Sequence, residues 1–380
     1  MRICVISTSY PNEDGVGNTF VEQLVNSFVR RGHSCTVISP MIVRFHKRDY
    51  LRYKKKETRD IGNGLTVKIF RPRYYLNRLK YKHVHIGRYL AQRCIERTIK
   101  REQLQFDFFY CHFFAAAITA WNYAHRHNIP LFVATGESQI QYPMSLPNFS
   151  FSWNAFAEDT TGVICVSTKN LKESTELGIA DIRKCKVFPN GVDLNVFKPI
   201  DRTSCRMQIG LSEKVFVIIT IGEISDRKGQ SRVIEALDSL NIDNVKYMVI
   251  GQGDKLPERD YIVKPGRIAH HELNRYLNAA DVFVLPTLRE GCSNAIIEAM
   301  AAGLPIISSN LPFNDDILSK ENSLLVDPKD TGSIAWAIDK LYRDHQLREK
   351  LSNGALKRAS QLSIDVRADG ILEFISEKML

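Results

Sequence analysis

Residues 281–310 read DVFVLPTLREGCSNAIIEAMAAGLPIISSN, and this stretch decides the fold. Its apolar beginning predicts a β-strand over 281–285, and a polar loop follows. Residues 294–302 have the apolar spacing of a helix, which Gly303 ends before a second apolar segment begins. A strand, a loop, a helix and another strand in this order predict a parallel βαβ unit.

Apolar segments of strand length recur on both sides of this unit and alternate with amphipathic segments. Such continuous apolar strands are typical of parallel sheets that are covered on both faces. Residues 189–199 are rich in turn formers and separate two series of strands. The sequence therefore predicts an α/β protein with two doubly wound, Rossmann-like domains, residues 1–192 and residues 200–363. The predicted strands are 2–7, 35–39, 65–70, 106–111, 131–134, 162–166 and 186–188, followed by 215–221, 245–250, 261–263, 281–285 and 305–308.

The length and composition agree with two domains of ordinary size. The chain has 380 residues, of which 44% are hydrophobic and 25% charged, as in soluble globular proteins. No apolar run reaches the roughly 20 residues that cross a bilayer, and apolar residues 1–7 are predicted as a core strand rather than a secretion signal. The eight cysteines lack C-x-x-C spacing, which predicts buried free thiols in a reducing, cytoplasmic compartment.

The net charge of +10 is concentrated in one segment. Between Arg44 and Arg101 there are 19 Lys and Arg residues against 4 Asp and Glu residues, with aromatic residues interleaved. Such a segment could attract anionic lipid headgroups, a lipid-pyrophosphate carrier or nucleic acid, or it could be only a solvated basic surface. The charge indicates a partner rather than a function.

The loop before residue 294 carries the residues best suited to chemistry. Gly291 allows the backbone to approach a ligand closely, and Ser293 or Asn294 can cap the helix. The spare amides of the first helical turn suit an anion such as a pyrophosphate. Glu290 and Glu298, eight positions apart, flank this site. Their expected targets are hydroxyl groups, although in isolation such a pair is more often a capping residue and a helix-surface glutamate.

The same segment resembles the signature of glycosyltransferase family 4, a retaining family with the GT-B fold that includes bacterial polysaccharide and glycolipid glycosyltransferases. That signature has two glutamates separated by seven residues, and residues 290–306 read EGCSNAIIEAMAAGLPI. The resemblance implies that two Rossmann-like domains face each other across a cleft, and that the helix at about 364–380 packs back on the first. Similar passages extend the resemblance over nearly the whole chain: 31–37, 189–199, 272–286 and 325–328.

The resemblance also implies roles for individual residues. Glu290 contacts the donor sugar as a catalytic residue, and Glu298 binds the ribose. Lys228 neutralises the diphosphate as it leaves. Arg227 could share that role, because the family's usual arginine is replaced here by Glu223. The complete donor site predicted in this way comprises Gly15, Gly17, Arg227, Lys228, Gly291, Cys292, Ser293, Asn294 and Glu298.

Gly15 and Gly17 resemble the family's glycine loop. They do not form a dinucleotide fingerprint, because Phe20 stands where that motif needs glycine. Two further catalytic candidates lie in the same half of the chain. Glu137 follows the strand after which the family often has a histidine. His112 ends an earlier predicted strand, although a structural histidine is the commoner explanation.

Together these features predict retaining transfer of a sugar from a UDP- or GDP-linked donor to a hydroxyl of a carbohydrate or lipid-linked saccharide, in cell-surface polysaccharide or glycolipid synthesis. No Asp-x-Asp, histidine-rich or zinc pattern is present, so we expect no cofactor and no catalytic metal. Nucleic acid is not expected as a partner. Contact with the inner face of an anionic membrane is expected between Arg44 and Arg101.

Two alternatives stay open. A nucleotide-sugar epimerase of the same fold would release free sugar without any acceptor. An inactive scaffold that binds membranes or anions through its basic segment would show no turnover and a steep dependence of binding on salt.

Overall fold

The computed structural model describes residues 1–13, 17–43, 49–76, 79–82, 84–140 and 151–380. The chain divides into two compact units. The first comprises Met1–Phe188 with Ala368–Leu380, and the second comprises Pro189–Arg367. Each unit is built around a largely parallel sheet with helices between successive strands, which confirms the predicted α/β class.

The first unit contains an eight-stranded sheet. The strands of this unit are β1 (Arg2–Ser7), β2 (Ser34–Ile38), β3 (Met41–Ile42), β4 (Lys56–Asp60), β5 (Thr66–Phe70), β6 (Arg73–Tyr74), β7 (Lys80–Tyr81), β8 (Val84–His85), β9 (Phe108–His112), β10 (Leu131–Thr135), β11 (Thr160–Cys165) and β12 (Cys185–Val187). Its helices are α1 (Thr19–Arg30), α2 (Ile86–Arg101), α3 (Phe114–His127), α4 (Trp153–Asp159) and α5 (Thr168–Glu176). The sheet order is β12-β11-β10-β9-β1-β2-β5-β4, and all neighbours are parallel except β4 and β5.

The second unit contains a six-stranded parallel sheet in the order β15-β14-β13-β16-β17-β18. Its strands are β13 (Phe216–Ile221), β14 (Val245–Ile250), β15 (Ile262–Gly266), β16 (Val282–Leu285), β17 (Ile306–Ser309) and β18 (Ser323–Val326). Its helices are α6 (Arg202–Gln208), α7 (Gln230–Asp238), α8 (Leu273–Asn278), α9 (Asn294–Ala301), α10 (Thr331–Arg343), α11 (His345–Gln361) and α12 (Ile364–Met379), the last of which continues into the first unit.

The central strands are buried along their whole length, as their continuous apolar sequences require. Every residue of β9, β10, β13 and β16 is buried. Helices cover both faces of a parallel sheet, so its strands gain stability from apolar burial on both sides. This burial fixes the strands and leaves the polar loops at their carboxyl ends available for ligands.

The boundary between the units lies at Pro189, earlier than the boundary after residue 192 that the sequence predicts. Asn190 Nδ2 donates to the carbonyl of Cys292 at 3.0 Å, and Val192 pairs with Ser363. Because these partners belong to the second unit, the turn-rich segment packs with it.

The cysteines and helices add two facts about the whole chain. All eight cysteines are free thiols, and six of them are buried. Among the described residues, no helix combines the length and the apolar character that crossing a membrane demands.

Candidate functional site

A cluster of charged side chains lies at the carboxyl ends of β13 and β16, which are neighbours in the second sheet. Thr287 follows β16, and its Oγ1 donates to the carbonyl of Arg227 at 3.1 Å. Leu288 N donates to the same carbonyl at 2.8 Å. These bonds hold the two loops together and thereby bring Glu290 beside Arg227 and Lys228.

Glu290 binds both of these cations through one carboxylate oxygen. Lys228 Nζ lies 2.5 Å and Arg227 Nη1 lies 3.0 Å from Glu290 Oε1. The side chains of Lys228 and Glu290 are only 12% and 13% exposed, so water screens their attraction less than it would on an open surface. Arg227 also lies 3.5 Å from Glu223, the residue that replaces the family's arginine. The structure thus brings together three of the predicted site residues.

A glycine fixes the loop that carries the two cations. Gly229 follows Lys228 directly and has a left-handed backbone, with φ of +85°. A Cβ atom at this position would lie 2.6 Å from the carbonyl oxygen of Pro286. The conformation and the close approach both require glycine, so this residue determines where Lys228 stands.

The beginning of α9 lies next to Glu290 in the chain. Ser293 occupies the N-cap position, but its side chain makes no capping hydrogen bond, so the predicted capping by Ser293 is wrong in this respect. Asn294 is the first helical residue, and its Oδ1 is a buried atom that has no hydrogen-bond partner within the described part of the chain. The helix end therefore presents its first amides without a side-chain acceptor from its own cap.

Gly291 and Cys292 are buried between Glu290 and this helix end. Burial raises the pKa of the Cys292 thiol to about 11, even though a hydrogen bond with the backbone of Asn190 lowers it. A thiol with so high a pKa is a poor nucleophile at neutral pH. The structure gives Cys292 a part in shaping the loop rather than in covalent chemistry.

Glu298 lies farther along α9 and is 9% exposed. Its Oε1 is 2.8 Å from His270 Nε2, and the His270 ring packs edge-on against Phe197 with 5.1 Å between ring centroids. Burial opposes protonation of His270, but the hydrogen bond and charge of Glu298, together with the charge of Asp193, outweigh it and raise the pKa of the imidazole. His270 was missed by the sequence reasoning, although its place in the loop after β15 could have indicated it.

Glu137 lies in the first unit and caps a helix. Its Oε1 accepts a hydrogen bond from the amide of Phe114 at 2.9 Å, at the first residue of α3. Its Oε2 accepts from Thr135 Oγ1 at 2.7 Å and from the amide of Gly136 at 2.9 Å. Both oxygens thus have structural partners, and a catalytic role for Glu137 stays a prediction.

His112 and Gly17 also lie in the first unit. His112 ends β9 and is 4% exposed, with its ring centroid 5.1 Å from that of Phe20 and 4.5 Å from that of Phe113. Gly17 has φ of +145°, and a Cβ atom there would lie 2.8 Å from Pro11 Cα. Gly17 is therefore packed tightly against the backbone of Pro11. Gly15 lies outside the described residues.

Within the residues that the structure describes, no group of three or more His, Cys, Asp and Glu side chains is arranged to hold a metal ion.

Two family models match the chain, one to each half. The model described as Glycosyltransferase Family 4 matches residues 17–196. The model described as Glycosyl transferases group 1 matches residues 201–358, which include Lys228, Glu290 and Glu298.

Relatives named as glycosyltransferases agree with these matches. The chain is 28% identical over 366 residues to TuaC of Bacillus subtilis, a glycosyltransferase assigned to teichuronic acid biosynthesis, and the match covers 91% of this chain and 90% of TuaC. It is 29% identical over 231 residues to the Escherichia coli enzyme named UDP-Gal:alpha-D-GlcNAc-diphosphoundecaprenol alpha-1,3-galactosyltransferase, covering 57% of this chain and 60% of that one.

Solved structures show the same fold. A sucrose-phosphate synthase from Thermosynechococcus elongatus superimposes with a TM-score of 0.77 at 18% identity, covering 99% of this chain and 98% of that one. Anabaena HepE in complex with UDP-glucose gives a TM-score of 0.72 at 18% identity, covering 99% and 100%. These likenesses establish the GT-B fold. The two matching models, which together extend over most of the chain, show that it belongs to glycosyltransferase family 4.

Proposed function

We propose that this glycosyltransferase moves a sugar, with retention of anomeric configuration, from a UDP- or GDP-linked donor to a hydroxyl of a carbohydrate or lipid-linked saccharide. The observation that carries the proposal is the contact of Glu290 with Lys228 and Arg227, next to the uncapped beginning of α9. Cations and helix amides suit a diphosphate, and a carboxylate suits sugar hydroxyls.

Donor binding replaces Glu290 by the diphosphate as the partner of Lys228 and Arg227. In the structure, the one carboxylate of Glu290 is shared between the cations of Lys228 and Arg227. A diphosphate carries more negative charge than one carboxylate, so it competes for both cations. The carboxylate of Glu290 is then released to accept hydrogen bonds from the sugar. The same cations stabilise the charge that grows on the diphosphate as its bond to the sugar breaks.

The transfer itself is proposed to take place on one face of the sugar. The bond between the anomeric carbon and the β-phosphate oxygen breaks, and its electron pair stays on the diphosphate. The acceptor hydroxyl oxygen forms the new bond to the same face of that carbon. Its proton passes to a phosphate oxygen of the leaving diphosphate, so that no external base is consumed.

Lys228, Arg227 and the α9 amides supply the positive charge for this step, and we therefore propose a reaction that needs no metal ion and no cofactor. Glu298 is proposed to bind the ribose hydroxyls, and its contact with His270 holds it in place. The names of two relatives support such a substrate pair: the Escherichia coli enzyme uses UDP-Gal with a diphosphoundecaprenol-linked sugar, and HepE was solved with UDP-glucose.

We further propose that the enzyme works at the cytoplasmic face of an anionic membrane in polysaccharide or glycolipid synthesis. The segment between Arg44 and Arg101 combines its positive charge with exposed large apolar side chains. Basic side chains attract anionic headgroups, and aromatic rings favour the interface between lipid and water. Among the described residues of this segment, the exposed large apolar side chains are Leu51, Tyr75, Leu76, Leu79, Tyr81 and Tyr89.

Thermal unfolding with UDP, GDP and ADP tests the donor site. A ligand at 100 times its dissociation constant stabilises the native state by about 2.7 kcal/mol, so we expect one diphosphate to raise the melting temperature clearly. Lys228→Ala should weaken the binding of that diphosphate about 10- to 100-fold, because the substitution removes a charge-assisted contact. Lys320→Ala removes an exposed lysine of the same unit and serves as the matched control.

Glu290→Gln separates binding from chemistry. The variant should bind the diphosphate as tightly as the wild type or more tightly, because Lys228 loses its internal partner. Release of diphosphate from UDP- and GDP-sugars, with lipid-linked acceptors added, should fall to the background level. Full turnover by Glu290→Gln, or the lack of stabilisation by any nucleoside diphosphate, would contradict the proposed function.

A further inference from the structure

Arg232 lies in the first turn of α7, close to two loops of the candidate site. One is the cation loop, residues 225–229, and the other is the glutamate loop, residues 286–290, each named after the charged side chains that it carries. The Arg232 side chain belongs to neither loop and is only 12% exposed. Its guanidinium is therefore held by contacts within the fold.

One guanidinium joins the two loops. Arg232 Nη1 donates to Asp226 Oδ1 in the cation loop at 2.7 Å. Arg232 Nη2 donates to the carbonyl of Pro286 at 3.1 Å, at the start of the glutamate loop. Asp226 directly precedes Arg227, and Pro286 begins the loop that leads to Glu290. Each end of this bridge therefore lies close in the chain to a charged residue of the candidate site.

Gly229 leaves the space in which the bridge forms. A Cβ atom at this position would lie 2.8 Å from Arg232 Nη2 and 2.6 Å from the carbonyl oxygen of Pro286. A side chain here would therefore displace both the donor and the acceptor of this hydrogen bond. The left-handed glycine and the buried arginine thus hold the same junction between the two loops.

The bridge adds a further attachment between the loops. Thr287 Oγ1 and Leu288 N both donate to the carbonyl of Arg227. These two bonds share one acceptor atom, so by themselves they allow the cation loop to pivot about it. Arg232 holds a different point of that loop. Two separate points of attachment fix the orientation of the loop and thereby the positions of both cations.

The bridge affects the placement of the cations more than the stability of the fold. The side chain of Asp226 is 86% exposed, and ion pairs with so exposed a partner contribute little to stability. A small displacement of a binding group matters far more, since a shift of about 1 Å can cost roughly 100-fold in rate.

We propose that Arg232 is a positioning residue for the donor diphosphate. By holding Asp226 and the carbonyl of Pro286, it orients the cation loop so that Lys228 and Arg227 meet the diphosphate together. Its part is to place these cations rather than to bind the ligand. This inference rests on the proposed function, because it concerns the affinity of the donor site assigned there.

Comparison of a nucleoside diphosphate with its nucleoside tests the inference on the full chain. Isothermal calorimetry measures the affinity for whichever of UDP, GDP and ADP binds, and ligand-observed NMR measures the affinity for the matching nucleoside. Arg232→Gln should weaken binding of the diphosphate about 10-fold, because its cations are displaced. Affinity for the nucleoside should stay unchanged. A merely structural role would lower both affinities together.

Asp226→Ala separates positioning from charge. If charge alone governed binding, removal of an anion near the two cations would tighten the binding of the diphosphate. If positioning governs it, the variant should bind the diphosphate about 3- to 10-fold more weakly, because the bridge loses one end. The double variant Asp226→Ala, Arg232→Gln should bind no more weakly than Arg232→Gln alone, because both substitutions break the same bridge.

Arg259→Gln is the matched control. Arg259 pairs with Asp238 at 2.8 Å, at the opposite end of α7, so this variant breaks an arginine–aspartate pair of the same helix far along the chain from both loops. It should leave the affinities for diphosphate and nucleoside unchanged.

Two results would overturn the inference. One is diphosphate binding by Asp226→Ala that is as tight as in the wild type or tighter. The other is equal weakening of diphosphate and nucleoside in Arg232→Gln. In both cases the wild type still binds the diphosphate, so the proposed function stands and only the role of Arg232 fails. If the wild type binds no nucleoside diphosphate, the proposed function fails and this inference fails with it.

Discussion

His270 and Glu298 form an ion pair whose strength changes near neutral pH. Glu298 raises the pKa of His270 above its ordinary value, and Asp193 acts in the same direction. A raised pKa in the folded state means that the pair contributes its full stability below the pKa of the unfolded chain, about 6.5, and loses it as the pH rises through the folded value. The pair is therefore strongest in mildly acidic solution.

His270→Gln should consequently lower stability more at pH 6 than at pH 9. We expect a loss of about 1 kcal/mol at pH 6, because a charge-assisted hydrogen bond is partly screened at a site that is still partly exposed. Thermal unfolding of wild type and variant across this range measures the difference. His345→Gln disrupts an exposed pair with Glu349 and is the control, with little expected effect at either pH. If the stability difference between wild type and variant stayed constant from pH 6 to pH 9, the charge of His270 would not contribute to stability.

At the scale of secondary structure, α3 begins with an unusual residue. Its N-cap, Phe113, has a left-handed backbone with φ of +75°, which is costly for a bulky side chain. Glu137 offsets this cost, because its carboxylate accepts a hydrogen bond from the amide of Phe114 and adds a negative charge at the helix N-terminus. The carboxylate of Glu137 thus stabilises the strained beginning of α3.

Glu137→Gln should destabilise the first unit by about 1–2 kcal/mol, the usual range for loss of a helix cap. The shift of the urea midpoint measures this loss. Glu176→Gln removes a carboxylate whose contact with Lys172 is long, at 3.8 Å, and exposed, so it should have almost no effect. If Glu137→Gln kept full stability but lost transferase activity, the residue would be catalytic rather than structural.

The sequence was sufficient for elements whose residues are mainly apolar. The predicted strands over 131–134 and 245–250 agree with β10 and β14 to within one residue. β4 was missed because it reads KETRD, with exposed and half-buried residues in alternation and no apolar run. The contact of His270 with Glu298 joins residues 28 positions apart in the chain, and only the tertiary fold defines it. Local patterns predicted the elements, while contacts between loops had to come from the structure.

At the scale of the whole molecule, charge is distributed very unevenly along the chain. The segment between Arg44 and Arg101 has 15 more basic than acidic residues, although the net charge is only +10. All other residues together therefore carry a net charge of −5. Such an asymmetry would orient the protein at an anionic surface, with the basic segment towards the lipid and the rest of the chain repelled.

Replacing Arg52, Lys55 and Lys82 by glutamine should therefore weaken binding to vesicles that contain anionic lipid. Each exposed cation near such a surface contributes about 1 kcal/mol, so losing three should cost up to about 100-fold in affinity. Vesicle co-sedimentation at rising salt measures this, and the wild type should dissociate as salt screens the attraction.

Replacing Lys255, Lys320 and Lys350 by glutamine removes the same charge from exposed positions of the second unit. If net charge alone governed adsorption, the two triple variants would lose equal affinity, and the proposed membrane surface would be wrong. If the basic segment is the docking surface, only the first variant should dissociate at low salt. Both should bind nucleoside diphosphate as the wild type does, because none of the six positions lies among the donor-site residues.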